Sequence, residues 1–412
     1  MRIKPFKGIR PIKDLVEKIA INPNNLLNED ERREVAKKNP FSFAHVIKPK
    51  IDFNENISKT DDKLFAHAKK YFQKLIDEKS LEQDEHDCFY VYMQMLNGRV
   101  QTGVVCCYNV KEYDEGRIKK HEHIRPEKLE ENVKHMLATG ISSNPIFLAY
   151  NPVSEIDTMI NEEKGTEPDY HFTSDSDVTH SLWVVNDEEQ VLKMQKLFNE
   201  KVPVTYIADG HHRAASTSDY AKLMREKNPG VGENAPFNYM LTCLFPSNQL
   251  KIYDYNRLVK DLNGMKRDEF INAVKEKFEV NEAEEKDFST EQLHHFGMYL
   301  DNKWYSLVAK ENSFPNDPVG SLDVSILQNN LLAPILGIKD PRTDKRIDFM
   351  AGVKGLSSME KRVNKKKAAV AFALYPCTME QLFAVADAGE VMPPKSTWFE
   401  PKLLSGLVIY KV

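Results

Sequence analysis

The chain predicts a mixed α/β fold of the α+β type. Three observations carry that expectation. Strand-like apolar runs and amphipathic helical runs interleave along most of the sequence. Asn97-Gly98 sits between two β-rich runs, "CFYVYMQML" and "RVQTGVVCCYNV", and suits a two-residue type I′ hairpin turn. Pro126 and Gly140 bracket a helical run as a first-turn proline and a C-terminal glycine.

The elements follow in order. Residues 1–50 are punctuated by Pro5, Pro11, Pro23, Pro40 and Pro49. Within them "NEDERREVAKKN" (28–39) predicts a helix with Asn28 as N-cap before an acidic first turn. "LFAHAKKYFQKLIDEK" (64–79) places Leu64, Ala68, Tyr71, Phe72 and Leu75 on one face of a second helix. The hairpin follows, then a charged approach (114–125) to the helix at 126–139. "NPIFLAYNP", "HSLWVVND" and "VPVTYIAD" are strand candidates, with a helix at 190–198 between the last two and another at 213–227. "NYMLTCLFP" and "LKIYDYNRLV" return to strand. The polar run "EVNEAEEKDFSTEQ" marks a boundary zone, and the expected division is 1–265 and 266–412. The second part holds a hairpin around Asp301-Asn302, a helix over "DVSILQNNLLAPILG" ended by Pro334 or Gly337, strands in "RIDFMAG", "AAVAFALYP" and "SGLVIYKV", and a helix "TMEQLFAVADAG" closed by Gly389.

Composition narrows the function classes. The 412 residues are 41% hydrophobic and 29% charged, with net charge −5, a soluble globular balance that disfavours a general nucleic-acid binder. No apolar run approaches the ~18–20 residues of a membrane span, so no membrane partner is expected. The segment "MRIKPFKGIRPIKDL" lacks the apolar core of a secretory signal. The five cysteines form no C-x-x-C pair. Reduced thiols and a cytoplasmic location are therefore expected. Cys106 and Cys107 share a strand, point to opposite faces, and read as packing residues.

The densest chemistry lies in "YIADGHHRAAS". Asp209, Gly210, His211, His212 and Arg213 stand where a strand meets a helix. A helix N-terminus presents unpaired N–H groups and partial positive charge, hence an anion site. Gly210 permits close approach of a phosphate oxygen. Arg213 offers a two-pronged donor, the histidines add donors or a proton shuttle, and Asp209 is a candidate metal ligand or hydroxyl orienter. The simpler alternative makes Asp209 an N-cap and the histidines local packing.

A second cluster is His121-Glu122-His123-Ile124-Arg125. It is not H-E-x-x-H, because the histidines are two apart and precede the helix. Glu122 is a candidate general base and Arg125 a candidate anion ligand at the helix start. The alternative is a solvated charged loop beside Arg117, Lys119, Lys120 and Lys128. A third stretch, "GEVMPPKSTWF" (389–399), nearly matches a P-loop, but a proline replaces the second glycine and removes a backbone donor. Lys395, Ser396 and Thr397 remain candidates for a polar pocket capped by Trp398, against a rigid proline turn. "EKRVNKKK" (360–367) reads as a solvated basic face.

"KPFKGIRP", "GRIKKHEHIRPEK", "YIADGHHRAAS", "DYNRLVKDLNG", "KRIDFMAG" and "MPPKSTWFEPK" together resemble the family called domain of unknown function 1015, over nearly the full length. The Asp-Gly-His-His-Arg segment looks like the phosphate-binding segment of the ParB/sulfiredoxin-like fold, as in its free-serine kinases. The resemblance implies a ParB/sulfiredoxin-like core with added N- and C-terminal α/β elements. It also implies a nucleotide-phosphate site at Asp209–Arg213. Related chains often carry a "PPYD"-like stretch where this one has "INPNNLL" (21–27), and the sulfiredoxin cysteine is absent here.

The leading expectation is a small-molecule kinase that uses ATP or ADP with Mg2+ to phosphorylate a metabolite hydroxyl, such as that of free serine. Glu122 takes the hydroxyl proton. Asp209 serves metal or phosphate geometry. His211, His212, Arg213 and Gly210 hold phosphates, with Arg125, Lys395, Ser396 and Thr397 as further ligands. Three alternatives stay open: a nucleotide-binding regulatory module without turnover, a metal-dependent hydrolase using His121, His123, His211 and His212, and, last, DNA binding, which lacks a helix-turn-helix. Whether the chain forms a homo-oligomer is open.

Overall fold

A computed structural model describes residues 2–23, 29–53, 57–283, 290 and 292–412. The chain forms two compact units, Met1–Leu250 with Pro401–Val412, and Lys251–Glu400. The expected division at 265/266 falls inside the second of these, and the last residues belong with the first. Both units mix helices with sheets, as the interleaved pattern predicts.

The first unit is built on a mixed nine-stranded sheet. Its strands are β1 (Ile3–Lys4), β2 (Phe89–Leu96), β3 (Arg99–Asn109), β4 (Ile118–Lys119), β5 (Ile146–Tyr150), β6 (Tyr170–Thr173), β7 (Thr179–Val185), β8 (Thr205–Asp209) and β9 (Tyr239–Pro246). They run in the order β4-β8-β5-β9-β3-β2-β7-β6, and β1 adds to β3. β8 pairs parallel to β4 and antiparallel to β5, whereas β5 and β9 are parallel. The hairpin β2–β3 turns at Asn97 (φ 52°) and Gly98 (φ 75°), the two positive φ values a type I′ turn demands. All of β9 is buried, as befits a central strand. Cys106 and Cys107 are buried in β3, and burial pushes the Cys106 thiol up to about 12, which suits packing rather than redox work.

The longer helices of this unit are α1 (Glu29–Lys38), α2 (Asp62–Asp77), α3 (Pro126–Thr139), α4 (Ser154–Lys164), α5 (Glu188–Lys201) and α6 (His211–Lys227). The Asn28 N-cap lies outside the described residues, as does most of the 21–27 stretch. α2 starts earlier than its apolar face suggests, because Asp61 accepts the Lys63 N–H at 2.9 Å. α3 begins at Pro126 and is closed by Gly140 at φ 70°. α4 was not legible from periodicity. α6 corrects the expected start at 213: it begins at His211, because Gly210 takes φ 106° and turns the chain in one residue. Both histidines are thus in the helix's first turn.

The second unit carries a six-stranded antiparallel sheet. Its strands are β10 (Tyr255–Val259), β11 (Phe278–Glu282), β12 (His295–Leu300), β13 (Lys303–Ala309), β14 (Ile347–Ala351) and β15 (Val370–Leu374), in the order β11-β13-β12-β15-β10-β14. Its helices are α7 (Arg267–Lys275), α8 (Asp323–Leu327), α9 (Leu356–Asn364) and α10 (Met379–Asp387). The single expected strand "LKIYDYNRLV" is two, Ile252–Tyr253 and β10, in different sheets. The helix over "DVSILQNNLLAPILG" loosens into a π-helical turn, Gln328–Leu332, before Pro334.

Candidate functional site

The site is assembled where β8 runs into α6. A register irregularity between Ile207 and Asp209 against β5 breaks the ladder at the strand's end. Asp209 then stands at the end of β8 and Gly210 makes the turn. A Cβ on Gly210 would lie 2.8 Å from Arg213 Nη2, so the glycine is required twice, by φ and by space.

Arg213 turns back beneath that glycine. Its Nη1 donates to the Asn144 carbonyl at 3.3 Å, to the Asn144 side-chain oxygen and to the Pro145 carbonyl. Its Nη2 lies 3.5 Å from Asp209 Oδ2. The fork expected to meet a phosphate therefore ties α6 to the segment before β5. The second cation on Asp209 comes from the far end of the chain: Lys402 Nζ lies 3.4 Å from Asp209 Oδ2. Burial raises the Asp209 carboxyl, but Lys402 and Arg213 outweigh it and hold it down at about 2. The expected metal role of Asp209 meets a carboxylate oxygen that already faces two cations.

The 121–125 loop docks on the first turn of α6 through both histidines. The His121 N–H donates to His211 Nε2 at 3.3 Å, and the Arg125 N–H donates to His212 Nε2 at 3.1 Å. An accepting Nε2 places each neutral ring's proton on Nδ1. For His211 that nitrogen lies 3.4 Å from Glu122 Oε2, a long contact. The His121 and His211 rings meet edge to face with centroids 4.4 Å apart. Burial, then the neighbouring His211, pushes His121 well below the ordinary imidazole range, so it is neutral. Its Nδ1 is buried without a hydrogen-bond partner among the described residues. Burial also lowers His212, with Glu122 opposing and Arg125 assisting. Glu122 is more than half exposed, and although burial raises its carboxyl, His211 and His212 draw it below its usual range. The two motifs thus form one site. Among the described residues no three His, Cys, Asp or Glu side chains are grouped as a metal-ligand set.

A cavity of about 320 Å³ opens beside the first two turns of α6. Arg213, Ser216 and Thr217 line it from α6; Lys128, Asn132 and His135 from α3; Ser142, Ser143 and Asn144 from the segment before β5. Arg32, Lys48, Lys50 and Lys59 add charge, and Ile47, Ile51, Leu64, Phe65 and Met136 form an apolar wall. Asn132 donates to Ser216 Oγ at 3.2 Å and fixes α3 against α6. The wall's carboxylates are already engaged: Glu131 with Lys128 at 2.6 Å, Glu29 with Lys50 at 3.2 Å. Burial, then the like charges of Arg32, Lys128 and Lys59, lowers the Lys48 ammonium. The cavity therefore carries surplus positive charge, which an anion would relieve. Sequence reasoning did not bring these cations and Lys402 together, because they come from five separate stretches of the chain.

Lys395, Ser396 and Thr397 lie in the second unit. There Lys395 takes φ 60°, its carbonyl accepts from Arg257 Nη2 at 3.0 Å, and Ser396 Oγ donates to the Pro393 carbonyl at 2.6 Å. Trp398 packs edge to face on Tyr255. This is the geometry of a braced proline turn.

The family model described as protein of unknown function, DUF1015, matches residues 3–325, and the chain belongs to that family. Solved structures that the chain matches include a free serine kinase in complex with AMP, at 17% identity, covering 72% of this chain and 86% of that one, with TM-score 0.35. A conserved hypothetical protein from Pyrococcus furiosus matches at 17% identity, 73% and 92% coverage and TM-score 0.35. SbnI with C-terminal truncation from Staphylococcus aureus matches at 12% identity, 73% and 85% coverage and TM-score 0.36. No match was found among curated proteins. No helix among the described residues is long and apolar enough to cross a membrane.

Proposed function

We propose that the first unit binds a nucleotide in the cavity beside α6 and transfers a phosphoryl group to the hydroxyl of a small metabolite such as free serine. The observation that carries this reading is the cavity's mixed lining, in which the apolar Ile47, Ile51, Leu64, Phe65 and Met136 join the cations Arg32, Lys48, Lys59 and Lys128. Such a surface suits a flat apolar base joined to a polyanion, and neither a bare metal nor a neutral metabolite would balance it. The apolar wall receives the base. The lysines and the N–H groups that open α6 receive the phosphates.

The chemistry then falls to the docked loop. Glu122 is exposed, lies 3.4 Å from His211 Nδ1, and has its carboxyl drawn down by His211 and His212, which leaves it ionised and open to an attacking hydroxyl. His212 orients the loop through the Arg125 N–H. Phosphoryl transfer depends mainly on alignment and charge neutralisation, which this set supplies. Mg2+ bound with the nucleotide would supply charge neutralisation, and Asp209 would be the carboxylate to hold it.

The test is turnover of ATP and ADP with Mg2+ against a panel of amino acids and small alcohols. Consumption with at least one acceptor is expected. Failure to consume either nucleotide with any acceptor contradicts the transferase reading and leaves the non-catalytic nucleotide module in its place.

A further inference from the structure

The turn that carries Lys48 is closed on itself by two side chains. Residues 44–52 form a short helix, Ala44–Ile47, and a 3-10 turn, Pro49–Asp52. Between the ends of this segment lie Ile47, Lys48, Lys50 and Ile51, which line the cavity. At one end His45 is buried, and its Nδ1 lies 2.8 and 2.9 Å from the two carboxylate oxygens of Asp52 at the other. His45 Nε2 lies 3.2 Å from the Asn39 carbonyl. Burial raises the Asp52 carboxyl, but His45 and His67 outweigh it and hold it below its usual range, so it is ionised. Both ring nitrogens of His45 therefore face oxygens that only accept, and an imidazole donates from both only as the imidazolium.

Asp52 also reaches α2. Its Oδ2 lies 2.6 Å from Nε2 of His67, about one turn along α2 from Leu64 and Phe65, which line the same cavity. One carboxylate thus joins the two elements that supply most of the cavity's apolar lining. Tyr71, also on α2, stacks on the His45 ring with centroids 4.4 Å apart and donates its hydroxyl to the Pro40 carbonyl at 2.8 Å. The groups around the His45–Asp52 pair are then His67 and Tyr71 on α2 and the Ala36 and Asn39 carbonyls at the end of α1.

We propose that His45 is a positioning residue for the cavity, whose imidazolium, through Asp52, holds the 46–51 turn and α2 in the arrangement that binds the anion. The inference rests on the nucleotide reading above and adds a pH dependence to it. The second proton on His45 is what lets one ring tie Asn39 and Asp52 together. Burial lowers the His45 imidazole, but Asp52 outweighs it and the net shift is upward. The clamp is therefore complete at mildly acidic pH and gives up one of its bonds as pH rises through the folded value.

The test is calorimetric titration of the full chain with ADP and Mg2+, from about pH 5.5 to about pH 8.5, for the wild type, His45→Asn and Asp52→Asn. Titration of the ADP phosphates and of Lys48 is common to all three proteins and cancels in the affinity ratio. The expected advantage of wild type over either variant is about tenfold at the acid end, the worth of one charge-assisted bond, and it shrinks toward the alkaline end. A ratio near one throughout overturns the proposal. So does a large ratio that is flat with pH, which would mark His45 as an uncharged brace. Amide hydrogen exchange over residues 46–51 reads the clamp in the free protein. Exchange should be faster in the variants at acid pH, with the difference lost at alkaline pH; equal exchange at every pH overturns the clamp. The exchange difference without ADP binding in the wild type removes the nucleotide reading and leaves the clamp. Melting curves separate these outcomes from unfolding, and Asp52→Asn carries the comparison if His45→Asn does not fold.

Discussion

The Glu122 carboxylate lies 3.4 Å from Nδ1 of His211, whose other ring nitrogen accepts the His121 N–H at 3.3 Å. The backbone thereby fixes which nitrogen of His211 carries its proton, and that nitrogen lies near Glu122 without closing a hydrogen bond to it. The proposed base role of Glu122 is tested directly. Glu122→Gln should lower kcat by about 10²–10⁴ with little change in melting temperature, because the side chain is largely exposed. The acid limb of the wild-type pH–rate profile should fall below the ordinary carboxylate range, since His211 and His212 lower the Glu122 carboxyl. An unchanged kcat in Glu122→Gln contradicts the assignment.

Gly210 makes a separate prediction about the fold. Its φ is 106°, and a Cβ there would stand 2.8 Å from Arg213 Nη2, so alanine is strained twice. Gly210→Ala should lose about 1–3 kcal/mol of unfolding free energy, read by urea titration. A variant as stable as wild type would show that the turn adapts.

Lys48 should trade stability for binding. Burial and its cationic neighbours lower its ammonium, so the free protein bears unfavourable charge there. Lys48→Met should raise the stability of the free protein by about 0.5–1 kcal/mol and weaken ADP binding by about tenfold. Loss of stability together with unchanged binding would place the anion elsewhere.

His45 predicts a pH dependence with a definite sign. Its ring Nδ1 lies 2.8 Å from Asp52 Oδ1, and His67 Nε2 lies 2.6 Å from Asp52 Oδ2. Burial lowers the His45 imidazole, but Asp52 outweighs it and the net shift is upward. A group raised in the folded state stabilises fully below its unfolded value, ~6.5, and loses that contribution as pH rises through the folded value. The stability gap between wild type and His45→Asn should therefore shrink between mildly acidic and alkaline pH. A gap that grows with pH contradicts the assignment. His121 runs the other way: its lowered imidazole stabilises above ~6.5 and that contribution is lost in acid.

Much of the local structure was legible because it is set by neighbours in sequence. Pro126 and Gly140 bracket α3, and Asn97-Gly98 turns the β2–β3 hairpin, because each residue type suits one backbone conformation. Asp209 to Arg213 was legible as a junction, whereas the approach of Glu122 to it was not. The start of α6 at His211 was not, since a helical pattern does not reveal that one glycine at positive φ completes the turn. Nor was the role of Arg213, whose partners Asn144 and Pro145 belong to a segment far away in sequence. Lys402 closes the family-like stretch "MPPKSTWFEPK", yet only the return of residues 401–412 to the first unit brings it to Asp209. The π-helical turn after Leu327 likewise depends on packing rather than on periodicity.

The most direct measurement is phosphorus NMR of the protein with Mg2+, ATP and a hydroxyl-bearing acceptor panel including free serine, run beside Glu122→Gln. A new phosphate-monoester resonance is predicted for the wild type with at least one acceptor. Its rate of formation should fall by about a hundredfold or more in Glu122→Gln, while that variant still binds ATP. ATP left unchanged with every acceptor, or an ester formed at the same rate in both proteins, contradicts the assignment of this site to phosphoryl transfer.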